Sequence, residues 1–268
     1  MLKARLITAL ALLLMLTAIL VWGDGQLWLF VLTGLTALAG WEWARLAGLR
    51  SMALQWAYAL GLAIFTWFGL QVSIEAHMLL WLLLLWGGLV PFILYHFART
   101  HGQWRLASLP LLMLGVVVLF LFAWSLFHSL LRFGPAVVVW WMSLVWLMDM
   151  GAYFAGRRFG RHKLAPTISP GKTWEGVAGG LVAVLLGVAV GAWLWPTQWS
   201  LLQLFLFGLI AGASVMGDLF ESVLKRWQGM KDSSHLLPGH GGILDRIDSL
   251  LMALPWMGWV AVAMGSAA

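Results

Sequence analysis

Acidic side chains gather late in this chain, beside segments that are otherwise apolar. Seven of the ten acids follow residue 148; they are Asp149, Glu175, Asp218, Glu221, Asp232, Asp245 and Asp248. An ionised carboxylate at the centre of a membrane helix costs about 2.5 to 3.5 kcal/mol, so each such acid needs a partner or a role. Their concentration indicates where the chemistry of this protein lies.

Four polar residues share one face of a predicted helix. Asp218, Glu221, Ser222 and Lys225 are spaced i, i+3, i+4 and i+7, which an α-helix aligns into one stripe. A polar stripe in an apolar helix is typical of a buried site. For Glu221 in particular, simple pairing with a basic neighbour is an open alternative.

Two further acids fall on the first turns of the last predicted helix. Asp245 and Asp248 are three residues apart and so share a face near the positive end of the helix dipole. Carboxylate oxygens suit Mg²⁺, which commonly bridges one or two carboxylates to substrate phosphates. We therefore expect both acids to help bind a catalytic metal. The alternative is that they only pair with Lys225, Arg226 and Arg246.

A glycine-rich turn directly precedes this helix. Its sequence is Pro238-Gly239-His240-Gly241-Gly242. The first N–H groups of a helix have no partner within the helix, and such groups bind anions readily. The sequence therefore favours a phosphate at this turn, with a plain tight turn as the open alternative.

A second polar segment contains Gly171-Lys172-Thr173, which invites comparison with a nucleotide-binding P-loop. The comparison fails, because the first glycine of that motif would fall at Pro166 and an apolar segment, not a strand, lies upstream. Lys172 still opens a predicted helix next to several basic residues. These are Arg157, Arg158, Arg161 and Lys163. They could hold a triphosphate or lipid headgroups, or only fix topology, and we expect Lys172 to contact substrate directly.

The elements that must position these residues are membrane helices. Of 268 residues, 62% are hydrophobic and 10% charged, against about 25% charged in soluble domains. The apolar runs lack the alternation, over about 10 residues, of a transmembrane barrel. We predict an all-α, polytopic integral membrane protein of about nine transmembrane helices. They span approximately 5–22, 27–47, 53–71, 76–97, 106–128, 134–155, 173–195, 200–224 and 243–265.

Basic residues fix the predicted orientation. With the N-terminus in the cytoplasm, every Lys and Arg except Arg132 falls on the cytoplasmic side, as the positive-inside rule requires. The C-terminus is then periplasmic, and the net charge of +6 reflects orientation and anionic lipid rather than nucleic acid. The first segment is expected to be a retained helix, not a signal peptide.

The chain divides by expected role. We predict scaffold helices over 1–133 and a catalytic region over 134–268, with cytoplasmic active-site loops at 156–172 and 225–242. Cysteine is absent, which excludes disulfides, thiolate metal sites and thiol nucleophiles.

The late motifs resemble those of the phosphatidate cytidylyltransferase family. The resemblance is carried by Ser222-Val223-Leu224-Lys225-Arg226, by Lys231-Asp232 and by the run from Pro238 to Asp248. The stretches 149–157 and 168–176 resemble that family's other cytoplasmic motif. No motif match is found in the N-terminal half.

The resemblance implies a reaction in which CTP and phosphatidate give CDP-diacylglycerol and pyrophosphate. It also implies a divalent metal, expected to be Mg²⁺ with room for a second cation, a multi-span helical fold in the bacterial inner membrane, and a homodimer. The expected catalytic residues are Asp218, Lys225, Asp245 and Asp248, of which the three aspartates are the metal ligands. The expected phosphate-binding residues are Lys172, Ser222, Arg226, Lys231, His240, Gly241, Gly242 and Arg246.

The charges fit that reaction. A phosphatidate oxygen is already anionic near neutral pH, so repulsion between two polyphosphate-bearing reactants is the larger obstacle, and cations relieve it. Two alternatives stay open. One is another membrane transferase acting on a phospholipid or polyprenyl phosphate, and the other is a cation-coupled transporter with an acidic relay.

Overall fold

The computed structural model describes residue 10, residues 14–15 and residues 17–264. Half of the predicted span 5–22 therefore lies outside the described residues, and its described residues 10, 14–15 and 17–22 are helical. Eight further helices and one β-hairpin follow in the described part of the chain. They are α1 Gly25–Leu46, α2 Met52–Gly69, α3 Ala76–Arg99, α4 Ser108–Phe159, β1 Lys163–Ala165, β2 Ser169–Thr173, α5 Trp174–Leu194, α6 Leu201–Ala213, α7 Val215–Trp227 and α8 Leu244–Ala263.

Six helical stretches among the described residues are long and apolar enough to cross a membrane. They are α1, α2, α3, α4, α5 and the stretch Leu201–Trp227 that contains α6 and α7. This confirms the predicted all-α polytopic class, whereas the count of nine spans is not confirmed.

The longest helix, α4, contains two of the predicted spans. Its 52 residues would extend about 78 Å at 1.5 Å per residue, more than twice a hydrocarbon core of about 30 Å. Gly134 interrupts the helix with φ 80° and ψ 167°, a backbone conformation that glycine tolerates, and Pro135 follows it. The predicted spans 106–128 and 134–155 correspond to the two arms.

The described chain folds into two compact units, each assembled from separate stretches. The first comprises residues up to 73 together with 106–131 and 224–247, and the second comprises 74–105, 132–223 and residues from 248 onward. Helices α4, α7 and α8 each contribute residues to both units. The predicted division at residue 133 concerns role and stays a prediction.

The core of the first unit is built from α1, α2 and the first arm of α4. Trp43, at 1% exposure, donates its indole N–H to the Leu111 carbonyl at 2.8 Å. The Tyr58 hydroxyl donates to the next carbonyl, that of Leu112, also at 2.8 Å. The polar atoms of these two rings are thus paired with backbone carbonyls of α4.

In the second unit, small residues let helices approach closely. A side chain at Gly151 would strike the backbone of Gly179 and Gly180, so the second arm of α4 packs directly against α5. Trp140 donates its indole N–H to the Gly187 carbonyl of α5 at 2.9 Å. Close helix packing here brings the end of α4 beside the start of α5.

Two features of the second unit differ from the sequence prediction. The loop predicted at 156–172 contains an antiparallel hairpin, in which Lys163 pairs with Thr173 and Ala165 with Ser169. The predicted span 200–224 divides at Ser214, whose hydroxyl donates to the Ala211 carbonyl. Serine competes for backbone hydrogen bonds in this way and so favours a helix end.

Candidate active site

A lysine–aspartate cluster lies in the second unit. Lys172, on β2, pairs with Asp218, on α7, at 2.6 Å between Nζ and Oδ2. Ser222 lies one turn further along α7 and donates to Asp218 at 3.4 Å. Both members of the ion pair keep partial exposure, 23% for Lys172 and 30% for Asp218, so ligands can reach them.

Two more acids belong to this cluster. Asp149, near the end of α4, interacts electrostatically with Lys172 and Asp218 and accepts a long hydrogen bond of 3.5 Å from Ser249. Asp248 accepts from the Ser249 N–H at 2.7 Å, and a side chain at Gly217 of α7 would collide with the Asp248 carbonyl oxygen. We call Asp149, Lys172, Asp218, Ser222 and Asp248 the Lys172 cluster.

The hairpin that carries Lys172 is anchored at its base. Glu175, in the first turn of α5, accepts hydrogen bonds from the backbone N–H groups of Arg161 and His162, and its carboxylate contacts the His162 ring at 2.5 Å. Thr173 caps α5 by accepting from the Gly176 N–H at 3.1 Å. The residues just before the hairpin and the residue just after Lys172 are therefore both fixed by hydrogen bonds to the first turn of α5.

A second lysine–aspartate pair lies in the first unit. Lys225 Nζ is 2.7 Å from Asp245 Oδ1, and their side chains are only 14% and 6% exposed. The other oxygen, Oδ2, accepts from the Gly242 N–H, the Ser233 N–H and the Ser233 hydroxyl at 2.8, 2.8 and 2.9 Å. Both carboxylate oxygens are thus engaged. We call Lys225, Ser233, Gly242 and Asp245 the Lys225 cluster.

Opposing effects set the protonation of Asp245. Burial acts to raise the pKa of Asp245, whereas Lys225 and the N–H groups of Gly242 and Ser233 act to lower it. The hydrogen bonds and the ammonium charge prevail, and the pKa lies below its ordinary value. Asp245 is therefore ionised at neutral pH.

An acid from the N-terminal half contacts the same segment. Glu42, in the last turns of α1, is fully buried. Its carboxylate accepts from the Ser234 hydroxyl at 2.5 Å and from the Ile243 and Leu244 N–H groups at 2.9 and 2.7 Å. Sequence reasoning missed this residue, although a lone acid inside an apolar helix is itself a signal.

These contacts correct the expectation of free amides at the start of α8. The N–H of Gly242 donates to Asp245, and those of Ile243 and Leu244 donate to Glu42, so protein carboxylates take the place expected for phosphate. The prediction that Gly241 and Gly242 bind phosphate loses this support.

The glycine turn itself has a defined conformation. Gly239 and Gly241 have φ angles of 78° and 81°, a backbone conformation that favours glycine. Leu237 and Gly241 form an isolated antiparallel β-bridge. Arg246 donates its Nε–H to the His240 carbonyl at 2.9 Å. Three predicted phosphate ligands are exposed to solvent; they are Arg226, Lys231 and Arg246.

The donor chemistry of the Lys172 cluster fits Mg²⁺ held jointly with a substrate. Among the described residues, no group of three or more His, Asp or Glu could enclose a metal by itself. Mg²⁺ in phosphate-handling sites needs only one or two carboxylates, with water and phosphate oxygens as its other ligands. Asp218, whose side chain is 30% exposed, is a carboxylate of this kind.

Comparison with known proteins bears on what this arrangement does. A family model described as the cytidylyltransferase family matches residues 3–263. The chain belongs to the cytidylyltransferase family. The resemblance seen in the late motifs is thereby confirmed, and so is the predicted enzyme class.

Two relatives match this cytidylyltransferase along nearly its entire length, and a third matches about half of it. The phosphatidate cytidylyltransferase of Pseudomonas aeruginosa is 40% identical over 266 residues, which cover 95% of each chain. That of Haemophilus influenzae is 33% identical over 284 residues, covering 97% of this chain and 98% of the relative. That of Brucella suis is 46% identical over 137 residues, about half of each chain. The similarity therefore includes the N-terminal half, where no motif was found.

Proposed function

We propose that this protein transfers CMP from CTP to phosphatidate, giving CDP-diacylglycerol and pyrophosphate for phospholipid biosynthesis. The observation that carries the proposal is the match to two phosphatidate cytidylyltransferases over at least 95% of this chain. The six apolar helices support it, because one substrate is a membrane lipid. The two lysine–aspartate pairs supply the charges that the reaction needs.

The reaction is a displacement at the α-phosphorus of CTP. A phosphatidate oxygen forms the new bond to phosphorus, and the bond to the bridging oxygen breaks, so its electron pair leaves with pyrophosphate. The phosphatidate oxygen is already ionised near neutral pH and needs little help from a general base. Rate therefore depends on neutralising charge and aligning the reactants.

Lys172 is the proposed cationic contact for a substrate phosphate. Its exposure lets a phosphate reach the ammonium, and Asp218 holds the ammonium in place until then. Lys225, which is nearly buried, is proposed to act through Asp245 and the turn before α8. The exposed residues Arg226, Lys231 and Arg246 are proposed to attract the triphosphate, with Ser222 and His240 as polar ligands.

We include Mg²⁺ as the proposed cofactor. It would be held by Asp218 and Asp248, and it would neutralise phosphate charge in the reactants and in the departing pyrophosphate. Asp245 was predicted as a third ligand, but both of its oxygens already accept hydrogen bonds. Its proposed contribution is therefore to orient Lys225 and the glycine turn.

The proposed location is the bacterial inner membrane, with the reaction at the cytoplasmic face. The one-sided distribution of Lys and Arg supports a cytoplasmic N-terminus and a periplasmic C-terminus. CTP is a cytosolic solute, so this orientation gives the enzyme access to both substrates. A homodimer is part of the proposal.

The proposal is tested with detergent-solubilised protein, labelled CTP and phosphatidate, with Mg²⁺ or with excess chelator. We expect labelled CDP-diacylglycerol and stoichiometric pyrophosphate with Mg²⁺, and neither with chelator. Unlabelled ATP, GTP and UTP should not compete. Competition by ATP, GTP or UTP, or no lipid product from folded protein, would contradict the proposal.

A further inference from the structure

Glu42 is a buried acid that the proposed reaction does not use. Its carboxylate has no exposed surface, and four donors surround it. Oε1 accepts from the Ser234 hydroxyl and the Ile243 N–H, whereas Oε2 accepts from the Ser233 hydroxyl at 3.1 Å and the Leu244 N–H. A buried carboxylate is tolerated only when hydrogen-bonded in this way.

The segment that Glu42 holds is also the segment that holds Asp245. The Ser233 hydroxyl lies 3.1 Å from Glu42 and 2.9 Å from Asp245, and its single proton can serve one carboxylate at a time. The Ser233 N–H donates to Asp245 as well. Glu42 and Asp245 thus fix one short segment from two sides.

Gly242 shows how closely the two carboxylates enclose this segment. Its N–H donates to Asp245 at 2.8 Å. A side-chain carbon at this position would collide with the Ser233 hydroxyl and with the Glu42 carboxylate. The backbone that orients Asp245 is therefore packed directly against the Glu42 carboxylate, without room for a side chain between them.

We propose that Glu42 is a positioning residue for cytidylyl transfer. By binding Ser233, Ser234 and the first amides of α8, it sets the place of the Asp245 carboxylate, and through Asp245 the place of the Lys225 ammonium. Glu42 itself contacts no substrate. The inference rests on the proposed function and gives the N-terminal half a defined part in it.

The first test is Glu42→Gln in purified enzyme. The variant keeps the size of the side chain, but its amide NH₂ then faces a donor that needs an acceptor. A small misplacement of reacting groups can lower rates by about 10- to 100-fold, and we expect such a fall in kcat. We expect KM for CTP to stay within about threefold, since the lost interaction orients groups in the transition state.

A matched control separates positioning from general loss of charge. Glu75→Gln removes a carboxylate whose side chain is 74% exposed and whose partner is the exposed His77. It should leave kcat and KM unchanged. Glu42→Asp, which retains the charge on a shorter side chain, should recover part of the lost kcat.

A double variant tests whether Glu42 affects kcat through the segment that contains Ser234. Ser234→Ala removes one of the four donors and should lower kcat by about threefold or more. If both residues act through the same segment, Glu42→Gln combined with Ser234→Ala should lose no more than Glu42→Gln alone. Should Glu42→Gln fail to fold, Ser234→Ala carries the test, and unchanged kcat in it would overturn the proposal.

The outcomes distinguish this inference from the proposed function. Assays are run at least 15 °C below the unfolding temperature of each variant, as measured by tryptophan fluorescence. A purely structural role would lower that temperature while kcat per folded molecule stayed normal, and this result would overturn the positioning role. A folded wild-type protein that makes no CDP-diacylglycerol would instead overturn the proposed function.

Discussion

Replacing Lys225 with methionine tests the energetics of the Lys225 cluster. The change keeps most of the side-chain volume and removes the ammonium that lies 2.7 Å from Asp245. Removing one partner of a buried ion pair costs about 3 to 5 kcal/mol, because the other charge remains buried. Asp245 keeps three donors from Ser233 and Gly242, which sets the expected loss near about 3 kcal/mol.

The measurement is chemical unfolding in detergent, followed by tryptophan fluorescence. Lys163→Met is the matched control, since Lys163 is exposed on the hairpin and should lose less than about 0.5 kcal/mol. An equal loss in both variants, or a loss below about 1 kcal/mol in Lys225→Met, would mean that the pair between Lys225 and Asp245 does not stabilise the fold as a buried ion pair. The comparison uses the midpoint and slope of each curve.

The difference in stability between the wild type and Lys225→Met is predicted to depend on pH. In the wild type the pKa of Asp245 is lowered on folding, so its contribution to stability is full above about pH 4 and is lost as pH falls through the folded-state value. In Lys225→Met that contribution is already reduced at neutral pH. The stability difference between the two proteins should therefore shrink as pH falls below about 4, and a constant difference would contradict the assignment.

Three further predictions concern activity and orientation. Lys172→Met should lower kcat/KM by about 100-fold in the labelled-CTP assay, because a phosphate loses its cationic contact; less than a threefold change would exclude that contact. Gly242→Ala should lower kcat at least about 10-fold by collision with Glu42, whereas Gly34→Ala, which meets nothing within 4 Å, should retain it. A reporter fused after Ala268 should be periplasmic, and a cytoplasmic signal would mean that the orientation is wrong.

The sequence predicted the helical class and much of the candidate site, because those features depend on local periodicity. Asp218 and Ser222, four positions apart, form a hydrogen bond in the structure, and Lys225 lies seven positions after Asp218 on the same helix. Residues predicted to lie on separate elements also meet, as Lys172 does with Asp218 and Lys225 with Asp245. Opposite charges in apolar surroundings tend to pair, because a buried charge without a partner is costly.

The sequence did not predict the contacts that Glu42 makes with residues far along the chain. Spacing alone gives Glu42 no partner, because Ser234 and Leu244 lie about two hundred positions later, at separations of 192 and 202. The amides before α8 were expected to be free for the same reason, since only the folded chain brings a carboxylate to them. The hairpin carrying Lys172 was missed because its strands have only three and five residues, and the second contains Pro170.

The most direct test of this mechanism compares wild-type protein with Asp218→Asn in the labelled-CTP assay, at saturating and at limiting Mg²⁺. The wild type should form CDP-diacylglycerol in a Mg²⁺-dependent manner, and folded Asp218→Asn should lose product at least about 100-fold. Wild-type turnover by Asp218→Asn would contradict the claim that the Lys172 cluster neutralises the phosphates of the two reactants.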